Sequence, residues 1–238
     1  MILYLIRHGR QDSRDCNTDV GLSEEGKRQA RLVGERMKGY SVDVLYNSHL
    51  VRAMETAQIA FNRQPELLAN RQIREGLAEI DFGSLTGQED SVVKEFYRQY
   101  YKRQKELFMA GNSPLSTEEV RAYTACYPAP VEDMAYPEGE GSAMVWARLQ
   151  PVLEEWIASS YERIAVVTHG GFIRILLCGL FGGDFARRLQ FGNTLENCSI
   201  TEIQYDRAKG MFFLERFNDY AHLEAEPELL RSNYVKPN

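Results

Sequence analysis

Two of the chain's four histidines share one local setting. His8 follows the apolar run Ile2–Ile6 and Arg7 and precedes Gly9, and His169 follows Ile164–Val167 and Thr168 and precedes Gly170 and Gly171. Each run is short and nearly continuous, the pattern of a strand buried on both faces, as in parallel sheets. In such sheets ligands bind at the carboxyl ends of the strands. If both runs belong to one sheet, both imidazoles emerge over the same crevice. Gly9, Gly170 and Gly171 would let a ligand approach the backbone and leave amide donors free, and the helix starting after His169 would offer an anion-attracting N-terminus. Arg7 adds the side chain best suited to gripping phosphate with paired hydrogen bonds. A histidine taken alone is more often a satisfied strand-end residue; the repeated context and the arginine point instead to a phosphate pocket.

The elements needed to position that pocket alternate along the chain. After β-like Ile2–Ile6 comes a polar loop, Gly9–Gly21, then a helix with Ser23 as N-cap, Glu24 and Glu25 in its first turn, and a stop at Gly39. Val42–Tyr46 reads as a strand and Val51–Phe61 as a helix, while Glu66–Ile80 is ambiguous, with room for a short strand before a turn at Gly83. Ala143–Ser159 and Phe172–Leu180 are helices flanking the strand Ile164–Val167, and Ser199–Tyr205 and Met211–Phe217 are two closing strands. This order predicts an α/β fold, a three-layer α/β/α sandwich with a mainly parallel central sheet. The whole chain, 1–238, reads as one domain, with an insert or lid at about 90–137. In it, Phe96, Tyr97 and Tyr100 mix with Lys94, Arg98, Lys102 and Arg103 as an amphipathic helix, followed by a proline-containing stretch from Asn112 to Pro137. The basic face reads as solvated, with substrate capture by Arg98, Lys102 or Arg103 as the sharper option. The last twenty or so residues carry no clear structural signal.

Composition limits the partners. The chain has 44% hydrophobic and 26% charged residues and a net charge of −6. It has no general attraction for nucleic acid or anionic membrane, so a phosphorylated substrate must be drawn by local arginines. Cys16, Cys126, Cys178 and Cys198 lack CxxC spacing, which argues against zinc or a disulfide framework and for a reducing compartment. The apolar run before Arg7 is too short for a signal-peptide core, and no run approaches a bilayer span. The expected location is cytoplasmic; homodimerisation is left open.

Several blocks, in order over roughly residues 1–205, resemble the histidine phosphatase superfamily (phosphoglycerate mutase-like). Arg7-His8-Gly9 is similar to its RHG signature, and Leu22-Ser23-Glu24-Glu25-Gly26-Lys27-Arg28-Gln29-Ala30 to its L-[ST]-x-x-G-x-x-Q-A segment. Ser48–Ala57 resembles S-x-L-x-R-A-x-x-T-A, Leu77–Gly83 resembles L-x-E-x-x-x-G, His169-Gly170-Gly171 the closing HGG, and Asn197-Cys198-Ser199 the N-x-S strand start. The resemblance implies that His8 is the nucleophile and forms a phosphohistidine. It implies that Arg7, Arg52 and His169 hold the phosphoryl oxygens and that Glu79 is the proton donor, with no metal or other cofactor. The chemistry agrees: the attacking imidazole must be neutral, with its other nitrogen donating to a backbone carbonyl, and fixed cations must face the three equatorial oxygens.

The chain also departs from the pattern. Arg10 and Gln11 stand where an acid and Ser or Thr usually follow RHG; Asn17 is offset from the usual asparagine, whose place Arg14 occupies; and Gly139-Glu140-Gly141 replaces G-E-S, with Ser142 displaced. Arg10, Asn17 and Asp81 are therefore further candidates, Asp81 as a rival acid and Arg10 as a residue favouring a more anionic substrate. The preferred activity is hydrolysis of a small phosphorylated metabolite, with mutase-type phosphoryl transfer as the near alternative. Two other classes are a metal-dependent hydrolase using His8, His169, Glu79 and Asp81, disfavoured by the flanking arginines, and a silent phospho-ligand binding module.

Overall fold

The computed structural model describes residues 1–110, 132–192 and 194–231. Its centre is one sheet of six strands: β1 (Ile2–Arg7), β2 (Val44–Asn47), β3 (Gln72–Ile73), β4 (Arg163–Thr168), β5 (Ile200–Asp206) and β6 (Met211–Asp219). They lie in the order β3-β2-β4-β1-β5-β6. The first four in that order run parallel, β5 pairs antiparallel with β1, and β6 antiparallel with β5. The sheet is thus mostly parallel where the histidines lie and antiparallel at one edge. There the short connection Arg207–Gly210 folds the last two strands into a hairpin.

Alternating side chains of the central strands feed two cores. Tyr4, Ile6, Leu45, Ala165 and Val167 point to one face, where they meet Ala30, Val33 and Met37 of α1 (Glu24–Met37) and Ala53 and Ala57 of α2 (Val51–Ala60). A five-residue helix, α3 (Pro65–Ala69), leads to β3, and a turn at Glu75–Leu77 follows, so the ambiguous stretch resolves into three short pieces. α4 (Asp90–Met109), α5 (Ser142–Ala158) and α6 (Gly170–Leu180) complete the described helices. Leu3, Leu5, Val44, Tyr46, Ile164 and Val166 face the second core, against Val145, Leu149, Leu153 and Trp156 of α5 and Phe172 and Leu176 of α6. Burying each such side chain contributes roughly 1.5–3 kcal/mol. The result is the expected α/β/α layering.

Local chemistry sets the boundaries. Ser23 caps α1, its Oγ accepting from Gly26 N at 3.2 Å, with Glu24 and Glu25 in the first turn. Along α4, Phe96, Tyr97 and Tyr100 pack on the second core, with Phe96 and Tyr97 against Tyr136. Three of its basic side chains are paired: Lys94 with Asp90 and Arg98 with Glu95 along the helix, and Arg103 with Glu132 beyond it. Most of the proline-containing stretch after α4, and Cys126 with it, lies outside the described residues. The C-terminal stretch, read as featureless, forms turns at Ala221–Leu223 and Pro227–Leu229 that bury Leu223 and Leu229 completely. Two leucines spaced among charges are too sparse a signal for periodicity to register. No helix among the described residues is long and apolar enough to cross a membrane.

Candidate active site

The β1–β4 register places Ile6 beside Val167 and Arg7 beside Thr168, so the chain leaves both strands at the same edge. The His8 and His169 rings lie 5.0 Å apart, tilted by 53°. The His8 backbone is tied on both sides: its N–H donates to Thr168 O at 2.8 Å, and its carbonyl accepts from Asn197 Nδ2 at 2.8 Å. Nδ1 of His8 lies 2.7 Å from Gly9 O. A carbonyl only accepts, so Nδ1 carries the hydrogen and Nε2 of the neutral ring keeps its lone pair. Burial, reinforced by the Arg7 and Arg52 guanidiniums, holds His8 well below the usual histidine pKa, so the ring is neutral at pH 7. Nε2 makes no hydrogen bond among the described residues.

Two arginines and a second histidine lie close to the His8 ring. Arg7 donates Nη1 to Leu195 O, and burial together with the Arg231 charge pulls its pKa down to about 9, still cationic at neutral pH. Arg52, 1% exposed, donates Nη2 to Asn17 Oδ1 at 2.7 Å and Nη1 to Thr18 O at 3.4 Å, with Asp19 at 3.6 Å. Its helical neighbour Glu55 accepts instead from Leu22 N, so the ion pair Arg52 makes is with Asp19 and not with a residue of its own helix. His169 is fully buried and likewise held well below the usual histidine pKa, first by burial and then by His8 and Arg52. Arg7 Nε, Arg52 Nε and both ring nitrogens of His169 have no hydrogen-bond partner among the described residues. More than about nine in ten buried polar groups in proteins are paired, so unpaired nitrogens on these three side chains, one N–H of the neutral His169 ring among them, mark a candidate site for an anion with several acceptor oxygens.

Glu79 sits on the same cleft. Its Oε1 accepts from Ile80 N at 3.0 Å and Phe172 N at 3.1 Å, and Oε2 from Gly171 N at 3.2 Å. The first amides of α6, expected to greet a ligand, are therefore taken by this carboxylate, the position where a helix N-terminus favours negative charge. Oε2, with one acceptor bond, is the oxygen with capacity left for a proton. The loop is held from behind by Arg148, which donates to the carbonyls of Gly76, Ala78 and Glu79 at 2.9–3.1 Å and pairs with Glu140. Glu140 thus holds the Glu79 loop and does not line the cleft.

The other sequence candidates separate. Asn17 lines the cleft, with φ +50° and its side chain spanning Arg52 and Ile80 O. Arg10 lines it too, its Nη2 bound to Leu229 O at 3.2 Å. Asp81 does not: it is exposed and closes the turn at Gly83, accepting from Gly83 N at 2.8 Å. Gly9 serves packing, because a Cβ there would lie 2.6 Å from Gly26 O, and a Cβ on Gly171 would lie 2.4 Å from Glu79 Oε1. A Cβ on Gly170 would stand 3.3 Å from Arg7 Nε. Arg98, Lys102 and Arg103 lie off the cleft. Among the lining residues that the sequence reading did not propose are Arg231, in the stretch without periodic signal, and Asn197, whose N-x-S context gave its place but not its bond to His8. No three of His, Cys, Asp and Glu converge as a metal site among the described residues.

An α/β sandwich with two imidazoles and two guanidiniums at the carboxyl edge of its parallel strands defines a class of phosphoryl-handling proteins. Within it, the chain belongs to the histidine phosphatase superfamily (branch 1), whose family model matches residues 3–125 and 112–220. It is 31% identical over 207 residues to phosphoglycerate mutase 1 of Saccharomyces cerevisiae, covering 78% of this chain and 81% of that one. It is 27% identical over 228 residues to phosphoserine phosphatase 1 of Hydrogenobacter thermophilus, covering 93% of each. The fold also matches a mycobacterial glucosyl-3-phosphoglycerate phosphatase in complex with inorganic phosphate, with a TM-score of 0.71 at 22% identity over 93% of this chain and 98% of that one.

Proposed function

We propose that the chain is a phosphomonoesterase acting on a small phosphorylated metabolite through a phosphohistidine on His8. The observation that carries this reading is the His8 tautomer: Nδ1–H is fixed on Gly9 O, which leaves the Nε2 lone pair free on a cleft that Arg7 and Arg52 also line, with the His169 ring 5.0 Å away. In the first step that pair attacks phosphorus, an N–P bond forms, and the ester P–O bond breaks. The leaving oxygen takes the bond electrons and the proton carried by Glu79 in its acid form. The imidazolium left on His8 keeps its Nδ1–H on the Gly9 carbonyl, and the arginines and His169 face the equatorial oxygens. In the second step a water oxygen attacks phosphorus and yields a proton to the Glu79 carboxylate. The N–P electrons return to Nε2, and inorganic phosphate leaves. The cleft, of about 610 Å³, has a rim rich in charged side chains and admits the water that the second step needs.

The identity to a phosphoglycerate mutase favours one second reading, return of the phosphoryl group to another hydroxyl. One experiment decides both. The protein is mixed with a ³²P-labelled phosphomonoester and denatured rapidly at alkaline pH, and label on the protein and free phosphate are counted. Label on His8, absent in His8→Ala, with stoichiometric phosphate release supports hydrolysis; isomerised ester without phosphate release replaces it with transfer; near-normal turnover by His8→Ala sinks both. The free thiols of Cys16, Cys178 and Cys198 fit the reducing, cytoplasmic setting that this reading assumes.

A further inference from the structure

The loop carrying His8 leans on a segment that itself rests on a third histidine. Residues Leu195–Ser199 wrap the Arg7–His8 backbone on the side away from β4. Cys198 N donates to Arg7 O at 2.9 Å, Arg7 N to Ser199 O at 3.1 Å, and Asn197 Nδ2 to His8 O at 2.8 Å. The Leu195 carbonyl also receives Nη1 of Arg7. One short segment thus contacts the backbone of His8 and both the backbone and the guanidinium of Arg7. At its middle Cys198 is fully buried with φ +58°, a left-handed conformation that a non-glycine residue keeps only where its surroundings impose it.

The turn after β6 meets that segment from behind. His222 lies with Nε2 3.0 Å from Cys198 O and Nδ1 3.4 Å from Arg36 Nη1. A guanidinium only donates and a carbonyl only accepts, so Nδ1 keeps its lone pair, Nε2 carries the hydrogen, and the ring is neutral. Burial, followed by the Arg36 charge, acts in the same sense and pulls the His222 pKa down to about 4. Asn218, with φ +50°, braces the same segment: Oδ1 accepts from Glu196 N at 2.8 Å, and Nδ2 donates to Thr194 O at 3.3 Å. The turn is anchored on α1, where Arg36 grips both carboxylate oxygens of Asp219 and Gln29 Nε2 donates to Leu229 O at 2.6 Å. His222, Asn218 and Arg36 all lie off the cleft.

Resting on the reading of His8 as nucleophile, we infer that His222 is a positioning residue: through the Cys198 carbonyl it fixes the Leu195–Ser199 segment, and through that segment the aim of His8 Nε2. It touches no substrate and moves no proton. The path from His222 to His8 runs through backbone atoms, so losing the His222 N–H leaves every group of the anion cradle present and changes the alignment of the attacking nitrogen. Alignment governs the bond-making step more than ground-state binding, and a misplacement of about 1 Å costs about 10²-fold in rate.

Three substitutions separate aim from mere support of the fold. His222→Gln puts an amide N–H where Nε2 stood and keeps the bond to Cys198 O. His222→Asn, one methylene shorter, keeps an acceptor for Arg36 and cannot reach Cys198. His222→Met fills the space with no donor. Rapid-quench single turnovers of a ³²P-labelled phosphomonoester give the rate of labelling, steady-state assays give kcat and KM, and ¹⁵N imidazole spectra report the His8 Nδ1–H tautomer without turnover. The Asn and Met variants are expected to label and turn over about tenfold more slowly or worse, with KM within about twofold, while the Gln variant stays within about threefold of the parent in both. The spectra show mixed His8 tautomers in the Asn and Met variants and the parent tautomer in the Gln variant. Parent-like rates and spectra in the Asn and Met variants, equal slowing in the Gln variant, or a change confined to KM overturn the positioning role. If the parent protein carries no label while its His8 tautomer still depends on residue 222 in this way, the phosphohistidine reading falls and the positioning role stands. If the Met variant does not fold, the Gln and Asn pair, differing by one methylene, decides.

Discussion

Replacing Glu79 with glutamine changes one atom of the site, and the structure says why that atom counts twice. The carboxylate accepts three backbone amides, two at Oε1 and one at Oε2. A glutamine that keeps its oxygen on the two-donor side turns its NH₂ toward the Gly171 N–H, so donor meets donor. One charge-assisted hydrogen bond is worth about 1.5–3 kcal/mol, and a negative charge at a helix N-terminus about 0.3–1 kcal/mol. Partial exposure to the cleft lowers the sum to about 2 kcal/mol, a fall in melting temperature of about 4–8 °C for a domain of this size. On the proposed mechanism the same change removes the proton for the leaving oxygen. Turnover of an alkyl phosphate falls by about 10²–10⁴, while an ester whose oxygen leaves as a stable anion, such as nitrophenyl phosphate, is slowed far less. Urea or thermal unfolding reads the first effect, and kcat on the two esters reads the second. Equal slowing of both esters would show that Glu79 acts only by holding α6, and an unchanged midpoint would refute the capping argument. Asp81→Asn, outside the cleft, should reproduce neither effect.

Other outcomes follow from the same contacts. Arg52→Ala removes a preorganised cation and should lower kcat by about 10²–10³, with CD spectra unchanged; a loss confined to KM would mean that it binds ester and transition state alike. Gly26→Ala places a Cβ 2.1 Å from Arg10 O, so the loop after His8 must shift. The expected cost is about 1–3 kcal/mol by urea titration, with a fall in turnover, and a fully active, equally stable variant would show that the approach is not needed. Burial keeps His8 and His169 well below the usual histidine pKa and His222 at about 4. As pH falls below about 6.5 these rings gain protons in the unfolded chain but not in the folded one, so the unfolded state binds more protons and stability drops with pH. The slope approaches about 1.4 kcal/mol per pH unit for each histidine. Unfolding midpoints measured from pH 7 to pH 5 in a buffer free of phosphate should fall steadily, and a flat profile would contradict the burial.

Much of this was legible in the sequence. The runs Ile2–Ile6 and Ile164–Val167 announced buried parallel strands, and the His-Gly steps after them fixed where the imidazoles would emerge, because both follow from period and punctuation. The α1 cap and the amphipathic α4 were equally local. What pattern could not supply was the choice of partners. Nothing in the spacing of Glu79 tells that α6 amides would claim its oxygens, or that Arg148 and Glu140, far along the chain, would clamp its loop. Gly9 reads as permissive toward a ligand, yet the backbone it admits is that of Gly26. Arg231 was invisible because its place depends on one carbonyl, Leu229 O, meeting Gln29 and Arg10 across the molecule.

The adjacency of β1 and β4 also bears on biosynthesis. His8 leaves the ribosome well before His169, since the strand that brings His169 beside it comes more than 150 residues later. Until then the early segment has no neighbour to complete its anion cradle, so a nascent fragment or a product cut within the first half should retain no phosphate. The cradle is thus completed late and all at once, and on the proposed phosphatase reading a simple phosphate-release assay doubles as a report on whether the two halves of the molecule have met.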